Sequence, residues 1–315
     1  MSISERGGAA GPAASGTVTP VAAADTAQGF ATAAGAYLIW GLLMPFFLKG
    51  LSHVPAVEVV AHRILWAVPT GAAILIWLGR TADLKAALRQ PRVVAMAAVT
   101  ALVISVNWAV YVYAIASEQT IEASLGYYIN PLISVVMGML MLGERPTKPQ
   151  WLAIALAIVA VAILTVHAGR LPWISLMLAL SFATYGYLRK TLPIGPSQGF
   201  LLEVILLSPL AVALVAWYVL AGDSHFLAGS AYDTLMLAAA GPITAIPLIL
   251  YAFGAKGLRL STIGVMQYIV PTLIFLIAVF AFGEPFDGTQ LAAFVLIWAA
   301  LVIYTWTLFA ERRRG

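Results

Sequence analysis

The chain has 315 residues, 62% of them apolar and 10% charged, with a formal net charge of +4 and no cysteine. Soluble domains carry roughly 45–50% apolar and about 25% charged residues, so a water-soluble enzyme, a nucleic-acid module and a disordered scaffold are excluded. A polytopic helical membrane protein is expected instead, with no disulfide framework, thiolate metal site or thiol nucleophile.

Residues 1–28 are mostly Ala, Gly, Ser, Thr and Pro and lack the basic start and apolar run of a signal peptide, so they read as a disordered tail. Span 1 is expected at 30–49 and span 2 at 55–78. Span 2 holds Glu58 and His62, four apart on one helical face, which makes them a candidate proton relay. It also holds Arg63. An arginine so deep costs at least ~2.5–3.5 kcal/mol on insertion scales, so it should face the bundle interior and have a partner.

The basic loop Arg80 to Arg92 leads to span 3 at 93–115, where Asn107 and Tyr111 share a face. Glu118 precedes span 4 at 121–142, and Glu122 opens it where the helix dipole favours anions. Tyr127, Tyr128 and Pro131 follow, and Gly143 to Pro149 breaks the chain before span 5 at 150–168. Spans 6 and 7 are expected at 171–189 and 199–221. Between them Gly195-Pro196-Ser197-Gln198-Gly199 matches G-x-S-x-G, but a nucleophile elbow needs a strand before it and a helix after it, so no catalysis is expected. Span 7 carries Glu203, and span 8 is placed at 233–255. Span 9 at 260–282 contains Gln267, Tyr268 and Pro271. Span 10 at 289–309 is followed by a basic tail, 310–315.

Ten spans put both termini on one side. That side holds fourteen of the 17 Lys and Arg residues, against Lys49 and Arg170 on the other. The excess predicts that both termini are cytoplasmic.

The chain also repeats. A shift of 140 residues carries Tyr128-Ile129-x-Pro131 onto Tyr268-Ile269-x-Pro271, Gly143-Glu144 onto Gly283-Glu284, and Gln150 onto Gln290. It also carries Pro69 onto Pro209 and Tyr111 onto Tyr251. Five spans per copy is an odd number, so the second copy enters the membrane inverted. The expected units are 29–168 and 169–309, and such inverted repeats mark secondary transporters.

The shift places Arg63 on Glu203, which suggests an interior ion pair across the repeat interface, either a substrate or proton site or a structural salt bridge. Glu203, Glu58 and His62 are the coupling candidates, because burial and neighbouring charge tune such groups. Arg63, Asn107, Tyr111, Gln267 and Tyr268 are the candidates for lining a substrate cavity. Their bland alternative is interhelical hydrogen bonding. Pro131 and Pro271 are candidate hinges or static kinks, since each removes a backbone donor. The four histidines have no ligand spacing, and no H-E-x-x-H or phosphate-loop motif is present. No metal, cofactor or catalytic residue is expected.

Several stretches resemble the RarD group of the EamA drug/metabolite transporters. They are Ala36-Tyr37-x-x-Trp40-Gly41, Val54-Pro55-Ala56, His62-Arg63, Asn107-Trp108, and Glu122 through Pro131. The second half adds Arg259-Leu260-Ser261-Thr262, Gln267-Tyr268-Ile269 with Pro271-Thr272, and Gly283-Glu284. The resemblance implies an all-α fold of ten transmembrane helices in two inverted five-helix EamA repeats, in a bacterial inner membrane. It suggests a central cavity with spans 5 and 10 peripheral. RarD-like proteins carry the label "chloramphenicol-sensitive", a phenotype that hints at drug or metabolite passage.

The expected function is a secondary transporter, an exporter of small amphipathic metabolites or drugs, with proton coupling open. The rivals are an uncoupled facilitator or exchanger and a membrane scaffold or sensor. The expected partners are a small-molecule substrate and the bilayer, with no nucleic acid. Small residues in span 5 (Ala153, Ala157) and span 10 (Ala292, Ala293, Ala299, Ala300) suit either intramolecular packing or a homodimer.

Overall fold

The computed structural model describes residues 25–117, 120–169, 173–228, 230–281, 283 and 287–312. Every described element is a helix. In chain order they are α1 (Ala27–Leu38), a π-turn (Ile39–Leu43), α2 (Met44–Gly50), α3 (Ala56–Trp77), α4 (Thr81–Leu88), α5 (Pro91–Ala116), α6 (Thr120–Leu142) and α7 (Lys148–His167). Then come α8 (Trp173–Thr191), α9 (Pro196–Ala221), α10 (Ala231–Gly257), α11 (Leu260–Met266), α12 (Ile269–Phe280) and α13 (Gly288–Arg312).

Eight helical stretches are long and apolar enough to cross a membrane, and α6 adds a shorter apolar run at Gly126–Leu142. Their outer faces carry large apolar side chains such as Trp77 at 84% and Leu220 at 88% accessibility. In water that surface would aggregate; in a bilayer it faces lipid.

The interior is held by close helix crossings. α3 packs on α9 and α10, α1 on α10, α8 on α5 and α6, α6 on α11, and α7 on α13. The buried core joins Ala33 and Tyr37 of α1, Ala67 of α3, Tyr185 of α8, Phe200 and Val204 of α9, and Leu248 and Tyr251 of α10. Of the small residues of α7 and α13, Ala153, Ala157, Ala293 and Ala300 are buried where the two helices pack, so these four serve intramolecular packing, whereas Ala292 is exposed and Ala299 half-buried.

The matched motifs have local physical roles. Gly143 and Gly283 both adopt left-handed backbone, with φ of 66° and 68°. Only glycine does this without steric cost, and both stand just after a helix end. Gln150 and Gln290 both cap helices, their Oε1 atoms accepting from Thr147 N at 2.9 Å and Asp287 N at 3.2 Å.

Three expectations change. Residues 1–24 lie outside the described residues, but 25–28 are not a free tail. Thr26 N and Oγ1 both donate to the Gly257 carbonyl, and α1 begins at Ala27. The Arg80–Arg92 loop contains α4, tied to α9 by Gln198 Nε2 donating to Asp83. Span 9 is two helices, because the chain turns at Gln267–Tyr268 with 3₁₀-type bonds from Tyr268 N to Val265 O and Val270 N to Gln267 O. Pro271 therefore stands in the first turn of α12, whereas Pro131 lies inside an unbroken α6. The matched prolines are not equivalent bends. The first turn of a helix tolerates proline because its N–H has no intrahelical partner there.

Candidate functional site

The site starts from a glycine. A Cβ on Gly241 would stand 2.3 Å from the carbonyl carbon and oxygen of Trp66, so α10 rests directly on the α3 backbone. One turn along, Thr244 meets Arg63, whose Nε donates to Thr244 Oγ1 at 2.9 Å. The guanidinium lies 5.3 Å from the ring centroid of Trp108 on α5, a cation–π contact worth about 0.5–2 kcal/mol. Tyr111 and Tyr127 lie within electrostatic range of it. Tyr111 is half-buried and Tyr127 is 40% accessible. Gly241→Ala should therefore lower thermal stability in detergent by roughly 1–3 kcal/mol, the usual range for overpacking, and pull Thr244 away from Arg63.

Beside this site lies a continuous set of aromatic rings. Tyr37, Trp40, Phe182, Tyr185 and Tyr251 have centroids 5.4–6.3 Å apart. The Tyr185 hydroxyl donates to Glu203 at 3.1 Å. Arg189 Nη1 donates to the same carboxylate at 3.0 Å, and its Nη2 donates to the Pro196 carbonyl at 2.6 Å. Both charges are almost fully buried.

Nearby, the basic helix ends are laced together. Glu144 accepts from the backbone N–H of Leu260 and Ser261, at 2.5 and 2.8 Å, across from α6 to the start of α11. Asp25 accepts from Arg259 N and Nε at 2.7 Å and from Thr262 Oγ1 at 3.0 Å. Lys256 Nζ donates to the Leu192 carbonyl at 2.7 Å, and Lys190 bonds the Leu258 carbonyl.

At the opposite end, Glu58 accepts from His225 N and Nδ1, both at 2.8 Å, and from Ser224 Oγ at 3.2 Å. His53 Nε2 lies 2.9 Å from Asp233.

Arg63 is thus where the sequence reading put it, in the interior, but not with the expected partner. Glu203 is bound to Arg189 on the neighbouring helix, and Arg63 is bound to a hydroxyl and an indole face. The Glu58–His62 relay does not form either. Glu58 turns to the loop after α9, while the buried His62 ring lies against Phe226 at 4.8 Å with no hydrogen-bond partner among the described residues. Asn107 is spent on α8, its Nδ2 donating to the Leu178 carbonyl and to Ser181 Oγ. An amide among apolar helices takes the nearest acceptors. Tyr268 is wholly buried and donates to the Tyr128 carbonyl at 3.1 Å, so it lines no cavity. Gln267 is buried at the α11–α12 turn. Only Tyr111 of the other cavity candidates joins Arg63. Glu118 and the Glu122 side chain lie outside the described residues.

Sequence reasoning missed Thr244, Trp108, Tyr185 and Arg189 as interior polar partners. Arg189 is the last residue of the expected span 6, which groups it with the cytoplasmic loop cations; that position is the only signal. Ser197 of the G-x-S-x-G match bonds Gln198 at the start of α9, and no strand precedes it.

The EamA-like transporter family matches residues 27–166. The Protein RarD of Streptomyces exfoliatus is 43% identical over 281 residues, which cover 89% of each chain. An uncharacterized transporter of Pseudomonas aeruginosa is 39% identical over 294 residues, covering 93% of this chain and 98% of that one. One solved crystal structure superposes with a TM-score of 0.69 at 21% identity, covering 91% of this chain and 99% of the other, which speaks to fold alone.

Proposed function

The chain belongs to the RarD group of the EamA transporter family, and on that premise we propose that it is a secondary carrier working by alternating access between two inverted five-helix repeats. It is a multi-pass membrane transporter and not an enzyme. In this reading ten helices cross a bacterial inner membrane, counting α1 with its π-turn and α2 as one and α11 with α12 as one. Both termini are cytoplasmic, and small amphipathic metabolites or drugs are exported through the Arg63 site. The "chloramphenicol-sensitive" label of RarD-like proteins makes chloramphenicol a first test compound.

The repeat bounds support this. Advancing 140 residues carries Ala56, Pro91, Thr120 and Lys148 onto Pro196, Ala231, Leu260 and Gly288, the first residues of α9, α10, α11 and α13. Equivalent first-turn residues dock equivalent loops: Glu58 holds Ser224 and His225, and Gln198 holds Asp83. The observation that carries the reading is a pair in unlike settings. Tyr111 is half-buried in the Arg63 site, while its equivalent Tyr251 is 2% accessible among the rings toward the basic end. A part-exposed residue in one copy and a closed-in equivalent in the other are what an asymmetric state of an alternating-access carrier would give.

One observation favours an uncoupled carrier over a proton-coupled one. Glu203 is already held by Arg189 and Tyr185, as a structural pair would be. Flux of chloramphenicol and amino acids into proteoliposomes, with and without an imposed pH gradient, tests both. Gradient-independent flux is expected for the uncoupled carrier. Gradient-driven flux that becomes gradient-independent, rather than lost, in Glu203→Gln would establish coupling at that residue, and no flux of any compound by the unaltered protein would count against the carrier reading.

A further inference from the structure

We infer that the Arg63 site takes a singly charged organic anion with a flat aromatic body, the carboxylate on the Arg63 guanidinium and the ring beside Trp108. The inference rests on the carrier reading above and narrows it to a substrate class.

Two of the described arginines lie inside the helix bundle, and they are treated differently. Arg189 is neutralised by Glu203 at 3.0 Å. Arg63 meets only the neutral hydroxyl of Thr244 and the face of Trp108. No carboxylate among the described residues lies within ion-pair distance of it. Among the described residues the site therefore carries one uncompensated positive charge in a low-dielectric setting, which an anion would relieve.

The geometry limits how that anion arrives. Nε is spent on Thr244 and one face of the guanidinium on Trp108. The two Nη groups bond no described residue, and the Arg63 side chain is part-exposed. That leaves an in-plane fork, the arrangement that suits a bidentate carboxylate. Trp108 and Tyr111 are one turn apart on α5 and share a face, and Tyr127 approaches from α6. A ring attached to the carboxylate by a short chain would lie among these three side chains.

Charge also sets what is refused. A primary amine would meet a like charge. A phosphate dianion would lack a second cation, since the described site supplies one. A neutral alcohol, chloramphenicol included, would leave the guanidinium unpaired and so bind more weakly than the acid while still being carried.

Equilibrium binding of radiolabelled 3-phenylpropionate to the purified full-length chain in nanodiscs tests this, with unlabelled competitors. The acid should compete at least tenfold better than 3-phenylpropanol, 3-phenylpropylamine, phenyl phosphate or ring-less propionate. Arg63→Gln should abolish the preference of acid over alcohol, and Arg63→Lys should keep part of it, because the charge survives while the fork is lost. Equal competition by the alcohol or the amine in the unaltered protein overturns the inference, and so does an acid preference that survives Arg63→Gln. Phenyl phosphate matching the acid would overturn the monoanion class, and no saturable binding of the acid would overturn the site. The competitor series on the unaltered chain decides the matter even if a variant fails to fold. Binding of the acid without flux in the same nanomolar-to-millimolar range would refute the carrier reading and leave the site. Flux without acid preference would do the reverse.

Discussion

Glu203→Gln is expected to destabilise the protein by about 3–5 kcal/mol, the range for removing one partner of a buried ion pair. Glu203 and Arg189 are 2% and 1% accessible. The carboxylate accepts from Arg189 Nη1 and from the Tyr185 hydroxyl. Glutamine keeps the shape but leaves the guanidinium charge uncompensated, and Arg189 Nε already has no partner among the described residues. The double change Arg189→Met with Glu203→Leu should recover most of the loss, because two apolar chains of similar volume often replace a buried pair at little cost. Thermal unfolding of the four proteins in one detergent gives the coupling energy directly. A single change that is neutral would mean that water reaches the pair and that this end of the bundle is open.

Glu144→Ala is expected to act on the opening of the basic end more than on the fold as a whole. The Glu144 carboxylate is 4% accessible and is the acceptor for two backbone N–H groups at the start of α11. Unsatisfied buried donors cost about 1–3 kcal/mol each, so the closed arrangement should lose about 2–6 kcal/mol. At 1.4 kcal/mol per tenfold, that moves a two-state equilibrium by roughly 30- to 20,000-fold toward the state open at the basic end. Asp25, which holds Arg259 and Thr262, should weaken the same contact when removed.

Much of the fold was legible because lipid-facing helices must be apolar along their whole length. A helix stands at each expected span. What was not legible are the features set by neighbours. α4 is amphiphilic and short, and it is placed by Asp83 reaching Gln198. The turn at Gln267–Tyr268 carries no proline or glycine of its own. It follows Gly264, which abuts Ser134 and the Pro131 carbonyl so closely that a Cβ would meet the Ser134 Cβ at 2.7 Å.

The site was half legible. Arg63 declared itself as a charge within an apolar run. Its pairing with Glu203 was inferred from repeat symmetry, and that inference mistakes equivalence for contact. Each residue is the eighth of its helix, α3 or α9. At 1.5 Å per residue, each lies about 12 Å in from its helix start. If the two helices enter from opposite faces, the side chains sit at different depths. In that arrangement residues related by a two-fold would meet only beside the axis; Tyr268 and Tyr128, 140 positions apart, do meet through one hydrogen bond. Asn107 and Tyr268 were misread for a related reason, because a polar side chain among helices reads the same in sequence whether it faces a cavity or ties two helices.

Alternating access requires that opening at one end and closing at the other be a single event. The chain has no cysteine, so single thiols can be introduced cleanly. Ser261→Cys reports the basic end, where Ser261 is 2% accessible, and Tyr127→Cys reports the Arg63 site. The labelling rates of both thiols would be measured in detergent, with and without Glu144→Ala. Slow labelling at 261 and fast labelling at 127 are expected in the otherwise unaltered protein, with opposite changes on adding Glu144→Ala, faster at 261 and slower at 127. Rates that rise together, or a rate at 127 that ignores Glu144, would contradict alternating access.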